Sequence, residues 1–339
     1  MTAGDVGGDA DPEPGDRSTP AGRGLVPGSG AHAVDPSDEH RHRADTDPLW
    51  NESYYLDFVG GDGSIAGYAR IGLYPNLGVT WWTTTIVGAG RPLTASVAYD
   101  LPVAGGTGLV LDSNRFDVSA VVDSALEAMT VRGSAPAVTH LDPAAVYRGE
   151  PGSPTTVDLD LTWTTDGTPY HYDLTTRYEI PCSVRGDVTV DGERVAVDGH
   201  GQRDHSWGVR DWWAFGWCWA AARLDDGTRV HLADIRIPGG PVAFGYLQPG
   251  DGSVHPVESL EVTEVLGPDG LPEAATARLG PAGLGLDIEP VAFGPLLLVA
   301  PDGRTSRFPR AAARFTARDG RSGTGWIEWN QPDPPTAGC

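Results

Sequence analysis

Lysine is absent from the 339-residue chain, so all 24 basic residues are arginines, and 46 acidic residues leave a formal net charge of −22. Such a surface repels phosphate backbones and anionic lipid, which sets aside nucleic acid and membrane surfaces as expected partners. Long apolar runs are also missing: no stretch approaches the roughly 18 consecutive apolar residues of a spanning helix. The opening Met1-Thr2-Ala3-Gly4-Asp5 has no basic segment followed by an apolar one. No secretory leader is legible there, and a cytoplasmic location is the expectation. Cysteine is scarce. Cys182, Cys218 and Cys339 are widely spaced and odd in number, without a C-x-x-C pair. That pattern argues against a disulfide framework or a zinc ribbon.

What is abundant is glycine (46) and proline (29), a density that leaves little room for long helices. Residues 1–47 are rich in Gly, Pro, Asp and Ser and nearly devoid of large apolar side chains, so they read as an acidic, disordered, dispensable tail. From Trp50 onward the pattern is strand-like. Val157-Leu159-Leu161-Trp163 alternates with polar neighbours, and Thr165-Asp166-Gly167-Thr168 separates that run from Tyr170-Tyr172-Leu174. Leu224-Asp225-Asp226-Gly227-Thr228 signals another hairpin. About twenty such segments, with one helix expected over 119–129, exceed what a small barrel holds. The expected fold is all-β: two consecutive lipocalin-like barrels, 48–181 and 182–335, divided where Pro181, Gly186, Gly192, Gly199 and Gly201 cluster.

One segment concentrates chemistry. Five of the 11 tryptophans lie within 207–219, beside Asp204, His205, Arg210 and Asp211. Read as one extended strand, 211–223 puts Asp211, Trp213, Phe215, Trp217, Trp219 and Arg223 on one face and Trp212 on the other. Aromatic strand faces usually pack cores, and Arg/Asp corners usually form structural ion pairs. Against that stands the mixture of acids, histidines and indoles, which suits a pocket with a few convergent polar groups.

Three chemistries fit the corner unequally. A nucleophile at Ser206 lacks the G-x-S-x-G setting. A metal held by His200, His205 and His231, with Asp204 or Asp234, lacks zincin or deaminase spacing, so neither a metal nor a cofactor is expected. A carboxyl walled by tryptophans would have its pKa raised and could deliver a proton to an alkene, with indole faces stabilising the cation. Asp204 and Asp211 are the candidate acids, and His205 the residue that would orient one of them. Trp207, Trp213, Trp217, Trp219 and His231 are the candidate pocket lining. A second cluster, from Trp50 to Trp82, adds Glu52, Tyr55, Arg70 and Asn76 as contributors from the first domain, although strand pairing alone explains most of it.

The pair N-E-S-Y-Y…Y-A-R-I-G-L-Y-P-N (51–76) and G-H-G-Q-R-D-H-S-W-G-V-R-D-W (199–212) resembles the carotenoid hydratase (hydroxyneurosporene synthase)-like superfamily, in particular an actinobacterial branch of paired domains of unknown function. The resemblance spans about 48–332. It implies two lipocalin-like barrels with an apolar pocket near their junction, and isoprenoid hydratases, tocopherol cyclase and certain fungal pericyclases as relatives. The D-H-S-W-G motif belongs to the superfamily and not to one activity. The expectation is therefore a pocket for a hydrophobic, isoprenoid- or polyketide-like molecule, with cofactor-independent hydration or cyclisation. The alternative is a non-catalytic carrier of similar ligands. No feature of the sequence sets an oligomeric state.

Overall fold

The computed structural model describes residues 33–103, 108–113 and 115–333. Over these it is almost wholly strand, with two short 3-10 turns at Pro36–Glu39 and Pro143–Arg148. The first sheet contains β1 (Trp50–Gly60), β2 (Ala66–Tyr74), β3 (Val79–Gly88), β4 (Arg91–Pro102), β5 (Leu109–Ser113) and β6 (Phe116–Ser124). It continues with β7 (Ala128–His140), β8 (Ser153–Thr165), β9 (Tyr170–His171), β10 (Arg177–Val190) and β11 (Glu193–Val209). The second holds β12 (Gly216–Leu224), β13 (Arg229–Ile237), β14 (Gly240–Gln248), β15 (His255–Pro256), β16 (Ser259–Leu266) and β17 (Pro272–Gly280). Then follow β18 (Leu284–Phe293), β19 (Leu296–Val299), β20 (Thr305–Phe308), β21 (Arg310–Ala317) and β22 (Ser322–Pro332). No helix among the described residues is long and apolar enough to cross a membrane.

The first sheet runs β4-β3-β2-β1-β11-β10-β8-β7 and closes through β4–β7, where Leu93 faces His140. Closure removes the exposed edges of an open sheet and encloses a side-chain core. Alternation fills it: along β8, Val157, Leu159, Leu161 and Trp163 point inward while Asp158, Asp160 and Thr162 do not. The second sheet, β15-β14-β13-β12-β22-β21-β18-β17-β16, curls around its own core of Cys218, Leu232, Leu286, Phe315 and Trp329. A third cluster joins the two: Tyr55, Tyr68 and Val87 from the first sheet meet Trp219, Phe244, Tyr246 and Trp326 from the second. For that reason every residue of β1 and β2 is buried, on both faces.

Three sequence expectations need correction. The boundary expected at 181/182 falls inside the first sheet: Cys182 lies mid-strand in β10, and the hand-over between sheets falls between Val209 and Gly216. The glycines mark close strand approach instead, since a Cβ at Gly199 or Gly201 would strike the Val59 or Asp57 carbonyl. The helix over 119–129 is a hairpin, because Val118 and Ala120 face the core at a period of two and Leu126 turns the chain with φ 61°. The expected tail to 47 falls outside the described residues only over 1–32. From 34 on it packs: Val34 joins the first core, and Glu39 accepts a hydrogen bond from Arg203 Nη1 at 2.7 Å.

Candidate functional site

Residues 211–215 are a turn, and β12 starts only at Gly216. Asp211 builds that turn: its carboxylate accepts from the Trp213 backbone amide at 2.9 Å and pairs with Arg304 at 3.1 Å. The turn reverses the expected faces of the first two tryptophans. Trp212 lines the cavity and also sets its ring edge-on to Phe308 at 5.7 Å, whereas Trp213, in the same buried cluster, lines neither that cavity nor the pocket beside it and donates to the Leu298 carbonyl. From Gly216 the alternation holds, and Trp217 and Trp219 share the face towards the first barrel, with Cys218 and Ala220 turned into the second core.

The cavity has a volume of about 730 Å³ and lies between the barrels. Trp207, Trp212, Trp217, Trp219, Tyr172 and Phe244 supply its aromatic walls, and Ile235, Ile237 and Val242 its aliphatic ones. Its lining also includes Leu174, Val209 and Phe215, which are exposed apolar side chains. A soluble surface leaves such residues exposed together mainly where something apolar docks.

Beyond Arg177, Arg210, Trp212, Trp217 and Trp219, which line both spaces, lies a polar pocket of about 20 Å³. That is room for roughly one water-sized group. Ser53, Tyr55, Arg70, Asp204, Arg310 and Glu328 complete its walls. Pairing registers bring them together: Tyr55 lies opposite Arg70 and Asp204, Asp204 opposite Glu179, and Glu328 opposite Trp219 and Arg310. Asp204 accepts from Arg177 Nη2 at 2.7 Å. Burial raises its carboxyl to about 7, although Arg177 and Arg210 pull the other way. Tyr55 donates to Glu328 at 2.5 Å.

Behind Arg177 a buried network sets the geometry. Glu179, fully buried, accepts from Arg177 Nε (2.8 Å), Gln202 Nε2 (2.8 Å) and Trp219 Nε1 (3.1 Å). Burial pushes Glu179 upward, yet Arg177 and these donors hold it below the usual carboxylate range. His231 is part of this support and lines neither space. Burial lowers its pKa to about 4, so it is neutral, with Nδ1 donating to the Ala220 carbonyl and Nε2 accepting from the Tyr172 hydroxyl. His200 is likewise lowered to about 4 by burial and donates to the Thr324 carbonyl.

His205 projects from β11 to the face opposite Asp204, into the first barrel. There Nε2 donates to Glu52 (3.1 Å), Nδ1 accepts from Tyr178 (3.2 Å), and the ring stacks on Tyr54. It therefore does not orient Asp204. His42 bonds the same Glu52 oxygen at 2.8 Å and stacks on Trp207, with ring centroids 3.7 Å apart. His42, Glu52 and His205 are the one group among the described residues whose ligand atoms lie close enough for a metal ion, within 4.8 Å. The trio weighed from sequence, His200, His205 and His231, is not assembled.

Of the expected residues, the structure gathers Tyr55, Arg70, Asp204, Trp217 and Trp219 around the polar pocket, places Trp207 on the cavity wall, and leaves Asp211 on the cavity lining as a turn residue. Sequence reading missed Arg177, Glu179, Arg210, Arg310, Glu328 and Trp212 as site residues. A signal was present for one: Glu328 stands in Trp326-Ile327-Glu328-Trp329, a carboxylate in an otherwise apolar strand.

A family model described as "Domain of unknown function (DUF7064)" matches residues 35–333. No curated protein is a significant match in sequence. Among solved structures, a candidate AttH from Nitrosomonas europaea is similar with a TM-score of 0.60 at 16% identity, covering 90% of this chain and 99% of that one. Kievitone hydratase from Nectria haematococca is similar at 0.57 and 11% identity, covering 91% and 96%. CghA with Sch210972 is similar at 0.59 and 14% identity, covering 92% and 96%. At these identities the likeness is one of fold, the two-barrel fold that the sequence resemblance implied.

Proposed function

The chain belongs to the DUF7064 family, and we propose that it binds a hydrophobic small molecule between its barrels and catalyses a cofactor-independent hydration or cyclisation. The observation that carries this reading is the cavity of about 730 Å³, walled by four tryptophans and continuous in its lining with a pocket bordered by the buried Asp204 carboxyl, whose pKa burial raises to about 7. Large apolar cavities with a few convergent polar groups are the usual form of small-molecule sites. That kievitone hydratase shares the fold supports the choice of reaction class.

In this reading Asp204 gives its proton to an unsaturated carbon of the ligand. Water or an internal double bond then captures the resulting centre, and the proton lost on capture returns to the Asp204 carboxylate. Asp204→Asn should keep the fold and ligand affinity while lowering turnover by roughly 10²-fold or more. The assay is mass spectrometry of small molecules that co-purify with the protein, before and after incubation. An unconverted apolar ligand would favour the carrier reading, which one observation supports: Asp204 borders the small pocket and not the large cavity. Retrieval of no apolar ligand, together with no binding of apolar probes, would defeat both.

A further inference from the structure

The polar pocket carries more positive charge than its own carboxylates can pair. Arg70, Arg177, Arg210 and Arg310 line it, against Asp204 and Glu328, with Glu179 behind Arg177 as the third acid. The acids are already engaged. Asp204 and Glu179 both take Arg177, and one Glu328 oxygen receives Tyr55 and Trp326 and lies 3.4 Å from Arg310. Arg70 and Arg210 form no ion pair among the described residues. Arg70 Nη2 and Arg310 Nη1 have no hydrogen-bond partner, and both residues are 4% exposed. A buried guanidinium without an acceptor is costly, and native structures keep one mainly where another molecule supplies the acceptor. The two unpaired arginines are also held in place: their guanidinium carbons lie 5.0 and 5.1 Å from the Trp212 ring, in the range of cation–π contact.

We propose that this pocket is an oxyanion-recognition site, so that the ligand is an amphiphile with a carboxylate or carboxylate-like head. One oxygen of the head enters between Arg70, Arg210 and Arg310, and the apolar body lies along Trp212, Trp217 and Trp219. The proposal rests on the binding reading above and narrows it. A pure hydrocarbon would leave the guanidiniums unpaired, whereas guanidinium and carboxylate match in charge and geometry.

The test compares dodecanoate with methyl dodecanoate on the full chain at pH 8, below the micellar range, by calorimetry and tryptophan quenching. The acid should bind at least tenfold more tightly than the ester. In Arg210→Met, which leaves no carboxylate without its partner, that ratio should fall below threefold, and Arg70→Met should give the same result if it folds. Equal binding of acid and ester overturns the oxyanion site and leaves the apolar cavity standing. A preference that survives in Arg210→Met overturns the assignment to these arginines. Binding of neither probe overturns the cavity reading and this proposal with it.

Discussion

Asp204 is the residue on which stability and chemistry meet. Burial holds its carboxyl near 7 in the folded protein, against roughly 3.9 in an unfolded chain. The folded state therefore binds the extra proton between those values, and this contribution is full below about 4 and lost as pH rises through 7. His200 and His231 act in the opposite sense. Their pKa values fall from about 6.5 to about 4 on folding, so their contribution is present above 6.5 and lost as pH falls towards 4. Asp204→Asn removes only the first effect. Its melting temperature should climb more steeply between pH 5 and 7 than that of the wild type, and parallel curves would refute a raised Asp204. The tryptophans give a second contrast at this scale. Trp217→Ala should weaken binding of an apolar probe with a modest loss of stability, because Trp217 is only partly buried and lines the cavity. Trp213→Ala should instead cost about 3–5 kcal/mol of stability and leave probe affinity within twofold, since the ring belongs to the buried cluster of Leu296, Leu298 and Phe308 and lines neither space.

At the scale of elements, the segment around the Pro36–Glu39 turn behaves as part of the first barrel. Arg203 is buried inside that barrel and its described carboxylate partner is Glu39, which also accepts from the Leu126 backbone amide at 3.1 Å. Removing one partner of a buried pair strands the other, at about 3–5 kcal/mol. Glu39→Gln should show most of that loss in urea unfolding, and deletion of residues 1–47 should lose at least as much. An unchanged midpoint would return this segment to the status of a loose tail. Composition hid the packing, because only Val34 in 33–47 is a large apolar residue and the buried anchor, Glu39, bonds groups more than 80 residues away. The strands, by contrast, were legible wherever one face is buried, as in β8, since a period of two survives in the sequence. The start of β12 was not. Asp-Trp-Trp-Ala-Phe satisfies strand preferences, and the Asp211 side chain that closes the turn is a local hydrogen bond with no trace in the alternation. The arginine pocket was illegible for a further reason: it is assembled from β1, β2, β10, β11, β12, β21 and β22 by registers that only the fold supplies.

For the whole molecule, the junction between barrels is a core and not a loose contact. Tyr55, Tyr68, Trp219, Phe244, Tyr246 and Trp326 are all buried in it. Polar groups cross it as well: Tyr246 donates to Gln202 at 2.6 Å, Trp219 to Glu179 at 3.1 Å, and Gln248 Nε2 to the Thr168 carbonyl at 2.7 Å. Separating the barrels would expose these aromatics and take the Trp219 donor from Glu179 and the Tyr246 donor from Gln202, both buried. Neither half is expected to be an independent folding unit, even though each sheet has its own core. Calorimetry of the full chain should show one cooperative transition, with calorimetric and van't Hoff enthalpies in agreement. A fragment of residues 210–333 should be insoluble or lack near-ultraviolet tryptophan dichroism. Two resolved transitions, or a folded second-barrel fragment, would mean that the junction is an interface able to open. The cavity would then vary in width with that opening, and ligand binding should raise the melting temperature of the looser half first. A single transition would instead make the cavity a fixed feature of one core, raised as a whole by any ligand that fills it.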